Sequence, residues 1–465
     1  MAYKPKAKKL PQMVAALTGC IGGFCLGTVI GWSSPAGKPL KKLDLNGKQV
    51  SWIGCINCLG SAFSVLPLPF IMDRIGRRLS MMIIAVFLCL SWIMLAFVET
   101  FWLLIIARFL CGFFSGSFCV VSPVYTGEVV EPRIRGALGS CFQLFIVFGI
   151  FVLFAIGLTE NLLVLSLFSA VCPVVMIVIL IFLPDSPLFL IDSGKDEERI
   201  DKAFIFLRGK DYDFTEEKVE LAKELIEADE RKAGNLMDKF KTKATKKGFI
   251  IGLGLNIAQQ LSGINVLMYY ATKIFADSGT AITPEVCSVI LGVGQIVGTL
   301  LAVAISDRAG RKILLIISFA VMAVCLLIMG CYSFFTRNED LDDISSGIRL
   351  IPVFVTTIYV IAFSIGAGPL VWALIGEMFA PEVKGVVSSI CAFSNWMFAF
   401  IITSTYTYME DVFKPYGAYW FYSAAGFLCV VFIIFMVIET KNKTLREIQI
   451  ALGGDDTTKE SIQYN

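Results

Sequence analysis

From Leu79 to Val98 the chain runs without a charged side chain, and a run of that kind limits what the chain can become. A hydrocarbon core about 30 Å thick needs about 20 apolar residues of helix to cross it. Lipid offers no water to backbone amides, so a crossing segment must satisfy them internally, as a helix does. Applied along the sequence, this ruler predicts twelve spans. They lie near 13–33, 50–72, 79–98, 101–124, 137–158 and 162–183, then 249–275, 285–306, 313–335, 350–375, 386–409 and 416–438. The expected fold class is an all-α membrane protein with twelve transmembrane helices. Composition agrees, since 56% of residues are hydrophobic, against about 45–50% apolar in soluble domains with glycine included.

Two charged phrases occur twice, each time where a hydrophobic run ends. Asp73-Arg74-Ile75-Gly76-Arg77-Arg78 reappears as Asp307-Arg308-Ala309-Gly310-Arg311-Lys312. Gly127-Glu128, with Pro132, Arg135 and Gly136, reappears at the same spacing as Gly376-Glu377, with Pro381, Lys384 and Gly385. Duplicated charged turns between hydrophobic segments imply two structural copies, a transporter signature. The expected organisation is a cytoplasmic N-terminus at 1–12, a six-helix bundle at 13–183, a cytoplasmic helical linker at 184–246, a second six-helix bundle at 247–438 and a cytoplasmic tail at 439–465. Cationic loops stay on the cytoplasmic side, and most of the 40 basic residues then fall there with both termini inside. The first external loop, with Lys38, Lys41, Lys42 and Lys48, runs against that trend. The linker mixes acids and bases, and Glu216 to Lys232 has helix-forming composition.

Several chemistries are disfavoured. There is no histidine, hence no imidazole base, proton shuttle or metal ligand. No phosphate-binding loop of the G-x-x-x-x-G-K-[ST] kind occurs, and Gly292, Gly294 and Gly298 miss the dinucleotide spacing inside a span. The 14 cysteines are scattered through apolar runs as small hydrophobes, and Cys55 with Cys58 reads as packing. Neither metal nor cofactor is expected, and the chain reads as no enzyme.

Polar residues inside the spans carry the functional signal. Gln143, Gln259, Gln260, Asn265, Gln295 and Asn395 are neutral amides, which offer both donors and acceptors and suit a hydroxyl-rich neutral solute. Each alone reads equally as a helix–helix hydrogen bond; together they favour a shared polar cavity. Trp372, Trp396, Tyr269 and Tyr270 add rings that fit a sugar's C–H faces, with plain packing as the other reading. Gly19, Gly23, Gly27 and Gly31 leave one face of the first helix bare for close packing. Gly254 to Gly263 and Gly366 to Pro369 weaken two helices, a recurring device of alternating-access carriers.

In order along the chain, Asp73–Arg78, Arg108 with Gly112, Gly127–Gly136, Pro184-Asp185-Ser186-Pro187, Gln259-Gln260-Leu261-Ser262-Gly263-Ile264-Asn265, Asp307–Lys312, Gly376–Glu377 and Glu439-Thr440-Lys441 resemble the sugar porters of the major facilitator superfamily. Within that family, Leu26 to Pro35 is most similar to the insect facilitated trehalose carriers. The resemblance implies the major facilitator fold and a sugar site at Gln143, Gln259, Gln260, Asn265, Gln295, Trp372 and Asn395, with Trp396 beside it. It also implies a cytoplasmic gate in which Arg74, Arg78, Glu128, Arg135, Asp307, Arg308, Arg311, Glu377 and Lys384 tie the halves together. Three departures bear on substrate: Gln295 replaces a common Asn, Val371 replaces a second proline, and Ser364 stands where some glucose carriers have Glu.

Proton-coupled relatives carry an Asp in the first helix at the position of Val29. No acid lies between Met13 and Ser34, and a coupled carrier needs a titratable group that senses access. The function expected is facilitative uniport of a neutral sugar, trehalose or a hexose, across the plasma membrane, with the lipid bilayer and the sugar as partners. Neither nucleic acid nor an obligate protein partner is expected. The alternatives are a proton-coupled sugar or polyol symporter and a sugar sensor that binds without translocating. Arg108 is the charge within a span that needs an explanation.

Overall fold

The computed structural model describes residues 7–232, 240–339 and 344–453, and all regular structure among them is helical. The N-terminal half runs α1 (Lys9–Lys41), α2 (Gly47–Ser64), α3 (Leu68–Ile75), α4 (Arg77–Phe97), α5 (Phe101–Val129), α6 (Pro132–Gly157) and α7 (Leu162–Phe182). Three short helices follow, α8 (Pro187–Asp192), α9 (Glu197–Arg208) and α10 (Thr215–Lys232). The C-terminal half contributes α11 (Lys243–Leu261), α12 (Ile264–Asp277), α13 (Pro284–Ala309), α14 (Arg311–Thr336), α15 (Ile351–Ile365), α16 (Pro369–Met378) and α17 (Pro381–Met436), closed by α18 (Leu445–Ala451).

Among the described residues ten segments are long and apolar enough to cross a membrane, and α2 with α3 forms an eleventh, bent by 56°. The span expected near 50–72 is thus bent: Pro67 and Pro69 break it, because proline lacks the amide that would continue a helix. The 56 residues of α17 would reach about 84 Å at 1.5 Å per residue, far beyond one bilayer. Lys414, at φ 62° just before Pro415, divides it in two. The twelfth crossing is thereby accounted for.

The chain forms two compact units. The first comprises Met1–Glu227, Asn265–Ile296 and Ala399–Thr407. Within it the α1 glycines Gly23, Gly27 and Gly31 pack on α6, and Gly19 on α5: a methyl on Gly27 would overlap the carbonyl of Ile146, and one on Gly31 would sit 2.9 Å from Ile150 Cα. Their role is close helix packing. Arg208, at the end of α9, donates to the carbonyl of Val129 at 2.8 Å and pairs with Glu217 at 2.6 Å, which fixes the insert to the foot of α5. Cys55 and Cys58 are wholly buried.

The same unit holds α12, much of α13 and a short stretch of α17, joined to α1 and α2 by polar contacts. Asn57 donates to Tyr269 Oη at 2.8 Å, and the Ser34 and Thr272 hydroxyls meet at 2.9 Å. Tyr270 donates to the carbonyl of Thr403 at 2.9 Å and also meets Ser51 Oγ. Lys38 pairs with Glu160 and lies 3.6 Å from Glu285. Both tyrosines therefore hold helices together here.

The second unit comprises Ala228–Ile264, Val297–Phe398 and Tyr408–Asn465. Two of its helical runs break where glycine was expected to weaken them. After Leu261, Gly263 takes φ +83°. After Ile365 the chain turns at Gly366, and Pro369 begins α16, where its missing amide costs little. Of the expected terminal segments, residues 1–6 and 454–465 lie outside the described residues.

Candidate functional site

The amides expected to bind solute divide between the units. Gln143, Asn265 and Gln295 stand on the first, and Gln259, Gln260, Asn395, Trp372 and Trp396 on the second. Gln143 and Asn265 are half-buried, and Gln295 is buried.

In the second unit four amides form one connected group. Asn395 donates to Gln259 Oε1 at 2.7 Å and to Asn256 Oδ1 at 2.9 Å, and it accepts from Gln260 Nε2 at 3.0 Å. Gln259 then donates to the carbonyls of Ala367 at 2.7 Å and Gly368 at 3.2 Å. These carbonyls lie in the gap between α15 and α16, where regular helix bonding is interrupted, so the amide supplies a donor that helix geometry withholds. The group thus stitches α11, α17 and the break before α16 into one polar node. Trp396 is buried close by in sequence, whereas Trp372 is 40% exposed on α16.

Asn256 escaped the sequence reading. It is fully buried, donates to the carbonyl of Gly252 at 2.8 Å, and lies one helical turn before Gln260. Its signal was available, since an amide four residues before another shares its helix face.

Arg108 is also fully buried, in the first unit. Its guanidinium donates to the carbonyls of Ile53, Val29 and Gly54, each at 3.2 Å, to Ser33 Oγ at 2.7 Å and to Asn57 Oδ1 at 3.2 Å. It also stands 4.5 Å over the ring of Trp32. None of these partners is a carboxylate, so the charge is met by dipoles and a ring face.

The repeated charged turns build the same device twice. In the first unit Gly76, at φ +94°, ends α3 and opens α4, and Asp185 Oδ1 accepts the backbone amides of Arg77 and Arg78 at 3.2 Å. In the second, Gly310, at φ +90°, opens α14, and Glu439 accepts the amides of Arg311 and Lys312 at 3.0 and 3.1 Å. A carboxylate on a helix N-terminus meets unpaired amides and the positive dipole end. Neither glycine could be replaced, because its φ excludes side chains and a methyl would strike the carboxylate.

Beside each clamp an arginine pairs with a glutamate: Arg77 with Glu128 at 3.0 Å, and Arg311 with Glu377 at 3.5 Å. Of the residues expected at the gate, Glu128, Arg311 and Glu377 thus pair inside their own units. Arg78 instead bonds the carbonyls of Leu180 and Ile181, each at 2.7 Å, and Arg135 reaches that of Val130 at 3.5 Å. Arg74 is exposed, and Lys384 lines a cavity of about 400 Å³ with Arg311 and Glu377. The side chains of Asp307 and Arg308 lie outside the described residues.

The two clamps titrate in opposite directions. Burial dominates at Asp185 and raises its carboxyl above the usual 3.8 despite three backbone donors. Burial also pushes Glu439 up, but four backbone amides outweigh it and hold the group below 4.5. A depressed carboxyl contributes stability that is present above its unfolded value and lost as pH falls through its folded value. Glu439→Gln is therefore expected to lower the unfolding midpoint by a few degrees at neutral pH and by less below pH 4.5. Unfolding in detergent across that range checks it, and an equal loss at every pH would contradict the carboxylate's role.

The family model described as Sugar (and other) transporter matches residues 13–452. Facilitated trehalose transporter Tret1 of Polypedilum vanderplanki is 32% identical over 461 residues, covering 97% of this chain and 90% of that protein. Tret1 of Drosophila mojavensis is equally similar over 97% of this chain but 53% of its own length. The chain spans about half the length of the first curated relatives it matches. Among solved structures, the xylose transporter XylE from E. coli in a partially occluded inward open conformation aligns with a TM-score of 0.78 at 22% identity, over 94% of this chain and 100% of that one. The proton:xylose symporter XylE bound to 6-bromo-6-deoxy-D-glucose gives 0.75 at 24% identity, over 95% and 99%. At such identities the likeness is one of fold.

Proposed function

The chain belongs to the sugar transporter family, and on that premise we propose that it carries a small neutral sugar, trehalose or a hexose, by facilitated diffusion. The observation that carries this reading is the buried node of Asn256, Gln259, Gln260 and Asn395 at the α16 break. Neutral amides exchange hydrogen bonds with hydroxyls without demanding a charge on the solute. Gln143, Asn265, Gln295, Trp372 and Trp396 complete the proposed sugar site, with trehalose favoured by the names of the relatives at 32% identity.

The proposed mechanism is alternating access by two six-helix bundles, 13–183 and 247–438, in the plasma membrane with both termini cytoplasmic. Arg74, Arg78, Glu128, Arg135, Asp307, Arg308, Arg311, Glu377 and Lys384 would close its inner side by exchanging partners between bundles. The partly exposed Arg311–Glu377 contact, at 3.5 Å, suits such an exchange. Uniport is supported by Arg108, whose partners are dipoles with no acid that could take up a proton.

Uptake of labelled trehalose, glucose and inositol into proteoliposomes tests the reading. Trehalose or glucose should equilibrate to the external concentration whether or not a proton gradient is imposed. Accumulation above that level would overturn uniport, inositol alone would move the solute to a polyol, and binding without flux would favour a sensor.

A further inference from the structure

We propose that a cavity at the junction of α4, α7, α8 and α9 binds the headgroup of an anionic phospholipid, with an acyl chain along its apolar wall. The cavity holds about 790 Å³ and opens where α7 ends at Phe182 and α4 begins at Arg77. Both helices are long and apolar enough to be membrane spans, so their ends mark the expected boundary between hydrocarbon and headgroups.

Its lining has two characters. Leu79, Ile181, Phe182 and Phe206 line it and are 46%, 51%, 75% and 41% exposed, an apolar wall that water alone would not favour. Lys195, Arg199, Lys202 and Arg78 supply its cationic lining. Asp185 is the one acid in the lining, and its Oδ1 is occupied by the amides of Arg77, Arg78 and Ser186. The nearby acids Asp192, Asp196, Glu197 and Glu198 do not line the cavity. Arg78 is engaged with carbonyls and Lys202 with Glu198 at 2.6 Å. Among the described residues Lys195 and Arg199 have no ion-pair partner, so two cations stand available above a hydrophobic face.

A soluble phosphate would match the cations but leave the wall exposed, and a neutral lipid would match only the wall. An anionic phospholipid satisfies both, because basic residues at a membrane surface attract acidic headgroups while apolar surface takes the chains. The proposal is independent of which sugar the chain carries. It also gives the insert between the bundles a role: α9 supplies Arg199 and Lys202, and the turn before it supplies Lys195.

The full chain, stripped of lipid in detergent, would be offered mixed micelles containing phosphatidylserine or phosphatidylcholine, and retained lipid would be counted by native mass spectrometry. Phosphatidylserine should be retained in preference, and Lys195→Ala with Arg199→Ala should cut that retention by about 30-fold, the ordinary effect of two basic residues near a charged surface. Retention unchanged in the double variant would overturn the proposal. So would equally good competition by soluble glycerophosphoserine, which lacks the chains. In the unaltered chain, phosphatidylserine retention should fall as salt is raised; salt-independent retention counts against the site without relying on any variant's folding.

Discussion

Arg108→Ala is expected to lose most of its folded, transport-competent protein. The guanidinium reaches three backbone carbonyls, Ser33 and Asn57 at once, and so ties α1 and α2 to α5 at a fully buried point. Hydrogen bonds to a charged group contribute about 1.5–3 kcal/mol each in water-soluble proteins, and fewer survive at full strength between membrane helices. The carbonyls also sit in helices with amide partners of their own, which softens their loss. A net cost of about 3 kcal/mol remains, comparable to removing one side of a buried charged contact. Arg108→Lys should recover only part of this, since a point charge cannot fork to several acceptors. Arg108→Met separates packing from function: it restores bulk without the fork. Yield by fluorescence-detected size exclusion, with sugar flux per folded molecule, checks the series. An Arg108→Ala chain as stable and active as the parent would remove the anchor from consideration.

Asn395→Ala is expected to reduce sugar flux at least tenfold, with a smaller effect on stability. It deletes the three bonds that make Asn256, Gln259 and Gln260 a single node. Between membrane helices such bonds average about 0.6 kcal/mol, so the loss of stability should be about 2 kcal/mol. Flux should suffer more, because Gln259 also supplies the donor for the Ala367 and Gly368 carbonyls. Once Asn395 is gone, nothing holds Gln259 Oε1 at its 2.7 Å bond, and the gap before α16 loses its orientation. The measurement is uptake per folded molecule beside the thermal midpoint. A decline in flux that merely follows the folded fraction would mean that the node is structural only.

Much of this architecture is legible in the sequence because membrane insertion demands long uncharged runs. The breaks at Gly263 and Gly366 are legible for a similar reason, since glycine is the residue that tolerates them. The bend between α2 and α3 is harder to see, because Leu66, Pro67, Leu68 and Pro69 keep the run apolar while removing amides. At the charged turns, side-chain direction is the hidden quantity. Arg74, Arg77 and Arg78 read alike, yet Gly76 resets the backbone so that Arg77 meets Glu128 while Arg78 turns to the end of α7. Their partners lie 51 and 102 positions away, a separation that no local pattern encodes. The amides of the candidate site are visible as chemistry, but only three-dimensional packing reveals that Asn395 is their centre.

The polar contacts that join α12 and the 399–407 stretch to α1 and α2 have a consequence for the proposed cycle. Ser34 with Thr272, Ser51 with Tyr270, Ser51 with Thr407 and Asn57 with Tyr269 are neutral contacts. At about 0.6 kcal/mol each they sum to roughly 2–3 kcal/mol, before water repays part of it when the contacts open. A difference of that size leaves the opened arrangement populated at around one molecule in a hundred. Thermal motion can reach such a minor state without ATP or an ion gradient, and a solute with modest preference for it can draw the population across. A buried ion pair in place of these hydroxyls would make that minor state far rarer. The weakness of the join is therefore what would let a passive carrier turn over.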